Sequence, residues 1–435
     1  MEVAVSSRKK RPWKVAERLT QPSIWECLGP GLITGAADDD PSGIATYSQA
    51  GGKFGLATLW TLWLTYPLMV AMQFASALIG RVTGKGLASN LKKHYPAPLV
   101  YALVASLFVA NTINLGADIG AMGEAVALVI GGPALVYAVL SALLALALLV
   151  LLRFRTYANI LKYLTLSLFA YIGVLLFVHI DWADVAHALV LPHAKWNSDY
   201  LTAIVAIFGT TISPYLFFWQ ASHEVEEQRE TPKEEPLHRA PAQAPVQLRR
   251  VKLDTLIGMG ISNIVAFCIM LTAGAVLFPR GLSHIESAAQ AAEALRPIAG
   301  KFSFFLFAAG IFGTGMLAIP TLAGSVAYAV AETFKWQKGL NKKLAEASGF
   351  YGIVALGTVL GTAMCFTKIN PMDALFWSAV INGVVAVPLM VFIMLIVSSK
   401  RIMGEFRASL RLRIVGWTAT AVMLAAAVAM FATWK

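Results

Sequence analysis

Long apolar runs recur along the whole chain, broken by short polar stretches that collect most of the basic residues. At about 20 apolar residues per bilayer crossing, this pattern predicts eleven membrane-spanning helices, at 24–51, 56–80, 99–130, 133–152, 157–180, 200–227, 253–278, 302–334, 349–367, 371–397 and 414–434. A short amphipathic stretch at 285–295 is expected to lie over the outer face. The segment 228–250, with Pro232, Pro236, Pro241 and Pro245 among mixed charges, reads as a flexible cytoplasmic linker. The expectation is an all-α polytopic membrane protein. It divides into a basic segment over 1–23, spans one to five over 24–180, spans six to ten over 200–397, and a basic loop with a last span over 398–435.

Spans one and six depart from this pattern in their middles. In span one Asp38, Asp39 and Asp40 are followed by Pro41-Ser42-Gly43. A carboxylate at the centre of a spanning helix costs about 2.5–3.5 kcal/mol even on the lenient insertion scale, so three of them must face water, a partner group or a cation. Proline disfavours helical geometry in the residue before it, which places Asp40 where the helix unwinds. The half-helix ending at Asp39 then aims its unpaired carbonyls at the same spot. Span six repeats the break with Phe208-Gly209-Thr210-Thr211-Ile212-Ser213-Pro214-Tyr215. Gly35 precedes Pro41 by six residues and Gly209 precedes Pro214 by five, a loose internal correspondence. Interrupted spans in matching positions of two five-span halves point to a midplane binding site in an inverted-repeat transporter.

Composition agrees with a membrane setting. Hydrophobic residues make up 57% of the chain and charged residues 14%, far from the mix of soluble domains. The formal charge of +11 does not mark a nucleic-acid binder, because no basic domain or aromatic-basic stripe carries it. Instead, 28 of the 35 basic residues fall on the side of the N-terminus, six on the other, and Lys435 ends the chain. This bias predicts a cytoplasmic N-terminus and an outside C-terminus, in the cell's inner membrane. The N-terminal basic segment, Arg8 to Arg18, lacks the features of a cleaved signal. Cys27, Cys268 and Cys365 fit neither a metal spacing nor a disulfide framework and read as packing residues.

The residues at both breaks resemble the NRAMP family of divalent metal transporters, and more closely its magnesium-transporting relatives. Gly29-Pro30-Gly31-Leu32, Asp40-Pro41-Ser42-Gly43 and Gly209-Thr210-Thr211-Ile212-Ser213-Pro214-Tyr215 are similar to that family's Gly-Pro-Gly, Asp-Pro-Gly-Asn and Gly-Ala-Thr-Val-Met-Pro-His motifs. The resemblance covers about the first ten spans. It implies the five-plus-five inverted-repeat, leucine-transporter-like fold, with metal held between broken helices one and six. It places the metal-binding aspartate on Asp40, the backbone-carbonyl ligand on Thr210, the family's asparagine on Gly43 and its methionine on Ser213. A thioether favours transition metals, whereas hydroxyl, carbonyl and carboxylate suit hard ions. Two smaller residues leave more room, and Mg²⁺ usually keeps several waters.

The substrate expected is therefore Mg²⁺, taken up largely hydrated. The alternative is Mn²⁺ or a broad range of divalent metals, coupled to protons. Coupling is expected to be weak, since the positions that the resemblance gives to titratable residues hold Tyr215, Gln220 and Ala121, and span nine has no arginine. An inside-negative potential supplies about 2.3 kcal/mol per charge per 100 mV without protons.

Other residues carry two readings. Asp118 and Glu124, with Asn111 and Asn114, give span three one polar side, for helix packing or for lining the path. Asn382 in span ten faces either the site or a neighbouring helix. Asp39 and Tyr215 belong beside the path. His223, Glu224, Glu226 and Glu227 read as a solvated helix end or an acidic exit vestibule. His179, His187 and His193 read as surface residues near the outer loop, and Trp182, Trp196 and Trp434 as interfacial anchors. An amino-acid carrier on the same fold would want no buried acidic triplet, and an intramembrane phosphoryl-transfer enzyme would want a nucleotide loop. The partners expected are a divalent metal ion as substrate and the lipid bilayer, with no nucleic acid, obligate protein partner or cofactor.

Overall fold

The computed structural model describes residues 29–151, 166–191, 195–282 and 285–434. The basic N-terminal segment, Cys27, His193 and the first part of the expected fifth span lie outside them. The described residues form helices and turns, with no strand among them. Eight helical stretches here are long and apolar enough to cross a bilayer. The apolar helix at Ser348–Met364 and the broken pair at the start of the chain occupy two more expected spans.

The first span is α1 (Pro30–Asp38) and α2 (Pro41–Phe54), each opened by a proline, whose missing amide goes unneeded in a first turn. Next come α3 (Trp60–Thr83), α4 (Leu87–His94), α5 (Ala97–Ile130) and α6 (Ala134–Leu151). Of the fifth span, a short helix at Ala170–Leu175 is described. The sixth span is α7 (Ser198–Thr211) and α8 (Pro214–Glu230), again with a proline opening the second half. It is followed by α9 (Ala244–Val276), α10 (Ser303–Phe334), α11 (Ser348–Met364), α12 (Pro371–Ser398) and α13 (Leu410–Thr433). Side-chain caps start several of these helices: Asn197 accepts from the Tyr200 amide, and Asn370 from the amides of Met372 and Asp373.

The packing follows the internal repeat. Both halves of span one lie against α9, the seventh span, and the second half of span six lies against α3, the second. These pairings exchange when the two five-span halves are interchanged, as an inverted repeat requires. Helix α5 crosses α10 at the centre of the bundle.

The glycines near each break have a packing cause. A side chain on Gly35 would lie 2.2 Å from the Gly258 carbonyl oxygen of α9, and one on Gly209 would lie 2.0 Å from the Ala379 carbonyl oxygen of α12. Each first half-helix therefore packs backbone to backbone on a neighbouring span, the close approach that small residues permit between membrane helices.

One expectation is corrected. Residues 228–250 are not a flexible linker: α8 runs on to Glu230, α9 starts at Ala244, and the turns between are bound to the end of α3. The amides of Leu237 and His238 donate to the carbonyls of Arg81 and Val82 at 3.1 and 3.2 Å, and Leu237 is fully buried. Prolines here fix turns that satisfy backbone groups rather than leave them to solvent. The amphipathic stretch is also tied down, with Ile285, Ala291 and Leu295 buried in the core.

Candidate functional site

Helix α1 ends at Asp38, and Asp40 is extended (φ −72°, ψ 170°), so the first span unwinds where the proline rule places it. Asp40 then serves as the N-cap of α2. Its Oδ1 accepts from the Gly43 amide at 2.8 Å and the Ser42 hydroxyl at 2.6 Å. Its Oδ2 accepts from Asn114 Nδ2 of α5 at 3.0 Å and lies 3.3 Å from the Tyr215 hydroxyl. Asn114 in turn accepts from Ser378 of α12 at 2.6 Å, so one carboxylate links three spans. Tyr215, at the start of α8, also reaches the Ala37 carbonyl at 3.1 Å, one of the free carbonyls at the end of α1. The two breaks are thus joined directly.

The oxygens left without partners belong to other residues. Ser262 of α9 approaches Asp38 Oδ2 at 2.6 Å and Asp39 Oδ1 at 3.2 Å, and its single proton belongs to the shorter contact. Asp38 Oδ1 is buried with no hydrogen-bond partner among the described residues, and the buried Asp118 carboxylate has only a loose contact with the Ser42 amide, outside hydrogen-bond geometry. Both side-chain amide atoms of Asn382 are buried without a partner among the described residues, and the buried Thr210 and Tyr47 hydroxyls have only a loose contact with each other. No lysine or arginine pairs with any of these carboxylates among the described residues.

At the second break, Ile212 (φ −119°, ψ 56°) and Ser213 (φ −71°, ψ 129°) leave helical geometry. Ser213 turns its hydroxyl back onto α7, 2.7 Å from the Thr210 carbonyl and 3.0 Å from that of Gly209. Two residues expected to face a cation therefore touch each other. Gly43 also acts otherwise than by leaving room: a side chain there would lie 3.1 Å from the Thr210 hydroxyl oxygen and 3.5 Å from the Asp38 carbonyl oxygen. Its lack of a side chain lets the two breaks come together.

Asp40, Thr210, Ser213, Gly43, Asp39, Asp118, Tyr215 and Asn382 are all buried. The structure brings Asp40, Gly43, Thr210, Ser213 and Tyr215 to the meeting of the two breaks by direct contacts, and Asp39 joins through Ser262. Asp118 and Asn382 are polar interior positions on α5 and α12. Sequence reasoning missed Asp38 as an open acceptor, and also Tyr47, Ser262 and Ser378. Only the acidic run pointed to Asp38; a single serine inside an apolar span gives no comparable signal. Among the described residues no three His, Cys, Asp or Glu side chains assemble into a metal-holding group.

The two ends of the bundle differ. Where α1 begins and α8 ends, Arg81 of α3 is fully buried, its Nε 2.5 Å from Glu224, its Nη2 2.5 Å from Glu227 and its Nη1 2.7 Å from Glu234. Arg250 adds a contact to Glu227 at 2.8 Å. Asp254 of α9 accepts the amides of Gly29, Gly31 and Leu32 at 2.6–3.0 Å, capping α1. Glu224 and Glu227 are therefore ion-paired rather than free in a solvated vestibule. At the opposite end, a cavity of about 320 Å³ opens between the end of α2 and the starts of α7 and α12, lined by Gln49, Lys53, Asp199, Thr202, Asp373 and Trp377.

Comparison with known proteins accounts for this architecture. The chain is 25% identical over 403 residues to the divalent metal cation transporter MntH of Burkholderia ambifaria, covering 91% of this chain and 86% of that protein. It is likewise 25% identical over 406 residues to MntH of Klebsiella pneumoniae, covering 91% of each. Its fold is similar to that of the Eremococcus coleocola manganese transporter, with a TM-score of 0.73 at 17% identity over 93% of this chain and 87% of the other. More distantly, it resembles Mhp1, a nucleobase-cation-symport-1 family transporter, with a TM-score of 0.57 at 13% identity over 93% and 92% of the two chains. The profile of the Nramp family, natural resistance-associated macrophage protein-like, matches residues 31–433, and the chain belongs to that family.

Proposed function

We propose that this membrane protein carries divalent metal ions, that Mg²⁺ is its main substrate, and that uptake runs with little proton coupling. The observation that carries the reading is the group of buried carboxylates at the first break. Asp38, Asp40 and Asp118 meet no basic side chain among the described residues, and Asp38 Oδ1 and the Asp118 carboxylate have no well-formed hydrogen bond there. Buried charge in this condition is expensive, and a divalent cation is the species that compensates it. The proposed ligand set is Asp40, the Thr210 carbonyl, Ser213 and Gly43, with Asp39, Asp118, Tyr215 and Asn382 along the path or behind the ligands.

Asp40 already accepts hydrogen bonds on both oxygens. Its partnership supports a cation that keeps its waters and meets this carboxylate at their edge, with Asp38 and Asp118 offering the open oxygens. Every candidate donor is oxygen, which suits a hard ion. Weak coupling is supported by the untitratable groups at positions 220 and 121: the Gln220 amide, which accepts from Thr34 and donates to Glu224, neither gains nor loses a proton, and Ala121 carries no acid. The Arg81 cluster closes one end and the Asp199 cavity opens the other. In our reading the Arg81 end, with most of the basic residues, faces the cytoplasm of the inner membrane, and the cavity receives the ion from outside.

The test is uptake into liposomes that report internal Mg²⁺ and pH together. Mg²⁺ entry without matching acidification is the expected result, and acidification in step with Mg²⁺ overturns the uncoupled reading. A second reading, Mn²⁺ or broad-range transport coupled to protons, is favoured by the names of the relatives, two MntH proteins and a manganese transporter. Competition separates the two: strong displacement of Mg²⁺ by Mn²⁺ or Cd²⁺ selects the second.

A further inference from the structure

At the Arg81 end of the bundle, away from the ion path, a cavity of about 560 Å³ lies between α4, the end of α8 and the last turn of α10. Six cations line it: Lys85, Lys92, Lys93, Arg229, Lys335 and Lys338. Its one carboxylate, Glu332, is already engaged, with Lys338 Nζ at 2.7 Å, the Ser89 amide at 2.9 Å and the Ser222 hydroxyl at 3.1 Å. Lys85, Lys93, Arg229 and Lys335 form no ion pair with a described residue. Positive charge gathered in a concavity in excess of the nearby carboxylates, Glu332 in its wall and Glu226 close to Arg229 and Lys338, focuses potential on an anion.

A second concavity of about 340 Å³ lies on the other side of the same last turn of α10. It runs along the outward face between α5 and α10, with Tyr101, Val104, Ala105, Phe108, Val109 and Phe334 on its walls. The last turn of α10 serves both spaces, since Val330, Thr333 and Phe334 face the groove while Glu332, Lys335 and Trp336 face the cavity. Lys92 stands at the junction. Its ammonium donates to the Thr333 carbonyl and lies 6.0 and 5.8 Å from the ring centres of Tyr101 and Phe334. Trp336 stacks on Phe334 with ring centres 5.4 Å apart, the aromatic pairing expected at headgroup depth.

A soluble phosphate would use the cavity and leave the groove unexplained. An anionic phospholipid uses both, its phosphate among the lysines and one acyl chain between α5 and α10. We propose that this pair of concavities is a docking site for an anionic phospholipid of the leaflet at the Arg81 end. Basic pockets between spanning helices hold such headgroups by the same electrostatics.

The full-length protein, purified in detergent, is titrated with dioleoylphosphatidylglycerol and, separately, with dioleoylphosphatidylcholine, and bound lipid is counted by native mass spectrometry. Phosphatidylglycerol is expected to be retained selectively. Each of Lys85→Gln, Lys93→Gln and Lys335→Gln should weaken it about fivefold, and the corresponding Lys→Arg variants should preserve it. Ala105→Trp, which fills the groove and leaves the cations untouched, should weaken it as well. Thermal midpoints of the lipid-free variants confirm that each is folded. Equal retention of phosphatidylcholine, no effect of the lysine variants, or no effect of Ala105→Trp overturns the proposal. Full displacement of the lipid by glycerol phosphate does so too, since it assigns the cavity to a soluble anion.

Discussion

Two clusters of buried charge lie in this bundle, and they are solved in opposite ways. Around Arg81 every guanidinium nitrogen has its own carboxylate, from Glu224, Glu227 and Glu234. Around the first break Asp38 and Asp118 keep oxygens with no well-formed hydrogen bond among the described residues. The Arg81 cluster brings its own counter-charge and, in the function proposed above, closes one end of the path. The aspartate cluster leaves the counter-charge to a visitor. A transporter needs both kinds, since a binding group that satisfied itself would have no reason to take up an ion.

The largest effect should come from breaking the self-sufficient cluster. Arg81→Ala leaves the buried Glu224 carboxylate without its partner and should cost about 3–5 kcal/mol, read as a sharp fall in the thermal midpoint or in folded yield. Pairing it with Glu224→Leu should recover much of that loss. Little change in the single variant would mean that the cluster is not a buried ion pair in the membrane.

Next in size, Asp118→Asn should move the other way on stability. Removing an uncompensated buried charge should stabilise the metal-free protein by about 1–3 kcal/mol, while Mg²⁺ uptake falls by roughly an order of magnitude. Wild-type protein at 100 times its dissociation constant of Mg²⁺ should gain about 2.7 kcal/mol, a gain that Asp118→Asn should lack. Calorimetry with and without Mg²⁺ checks both signs. Asp40→Ala removes a helix cap as well as a charge, so it should lose uptake and also about 1 kcal/mol of stability. That loss separates it from Asp118→Asn.

Ser213→Met adds a soft ligand to an all-oxygen group and should raise competition by Cd²⁺ and Mn²⁺ about tenfold, measured against Mg²⁺ uptake. An unchanged order of ions would remove position 213 from the site. The smallest effect belongs to Asn382→Ala, expected within about 1 kcal/mol on stability and a few-fold on uptake.

Much of the bundle was legible because spans advertise themselves by length and apolarity, and a proline within a span marks its break. Pro41 and Pro214 open α2 and α8 as their chemistry requires. Asp40 was legible for the same reason, as the residue before a proline. Its partners from other spans were not, since Asn114 and Tyr215 lie far along the chain. The role of 228–250 was hidden in another way. Proline and charge suggest a loose chain, yet Glu234 is the third partner of Arg81 and Leu237 is buried beneath, and contacts of that range leave no local pattern. The acidic end of α8 was misjudged because a run of glutamates looks solvated unless its arginine is known, and Arg81 lies in span two.

The glycine contact between α1 and α9 bears on how the protein can move. With Gly35 against Gly258, and a side chain on Gly258 in turn placed 2.1 Å from the Gly31 carbonyl oxygen, there is no room for side chains to cushion the crossing. Sliding would drive backbone into backbone, so the two helices behave as one lever. Asp38 rides on α1 and Ser262 on α9, and their hydrogen bond travels with that lever. The flexible point beside that lever then falls at Asp39 and Asp40, where the first span leaves helical geometry, so Asp40, the ligand proposed above, sits at the bend.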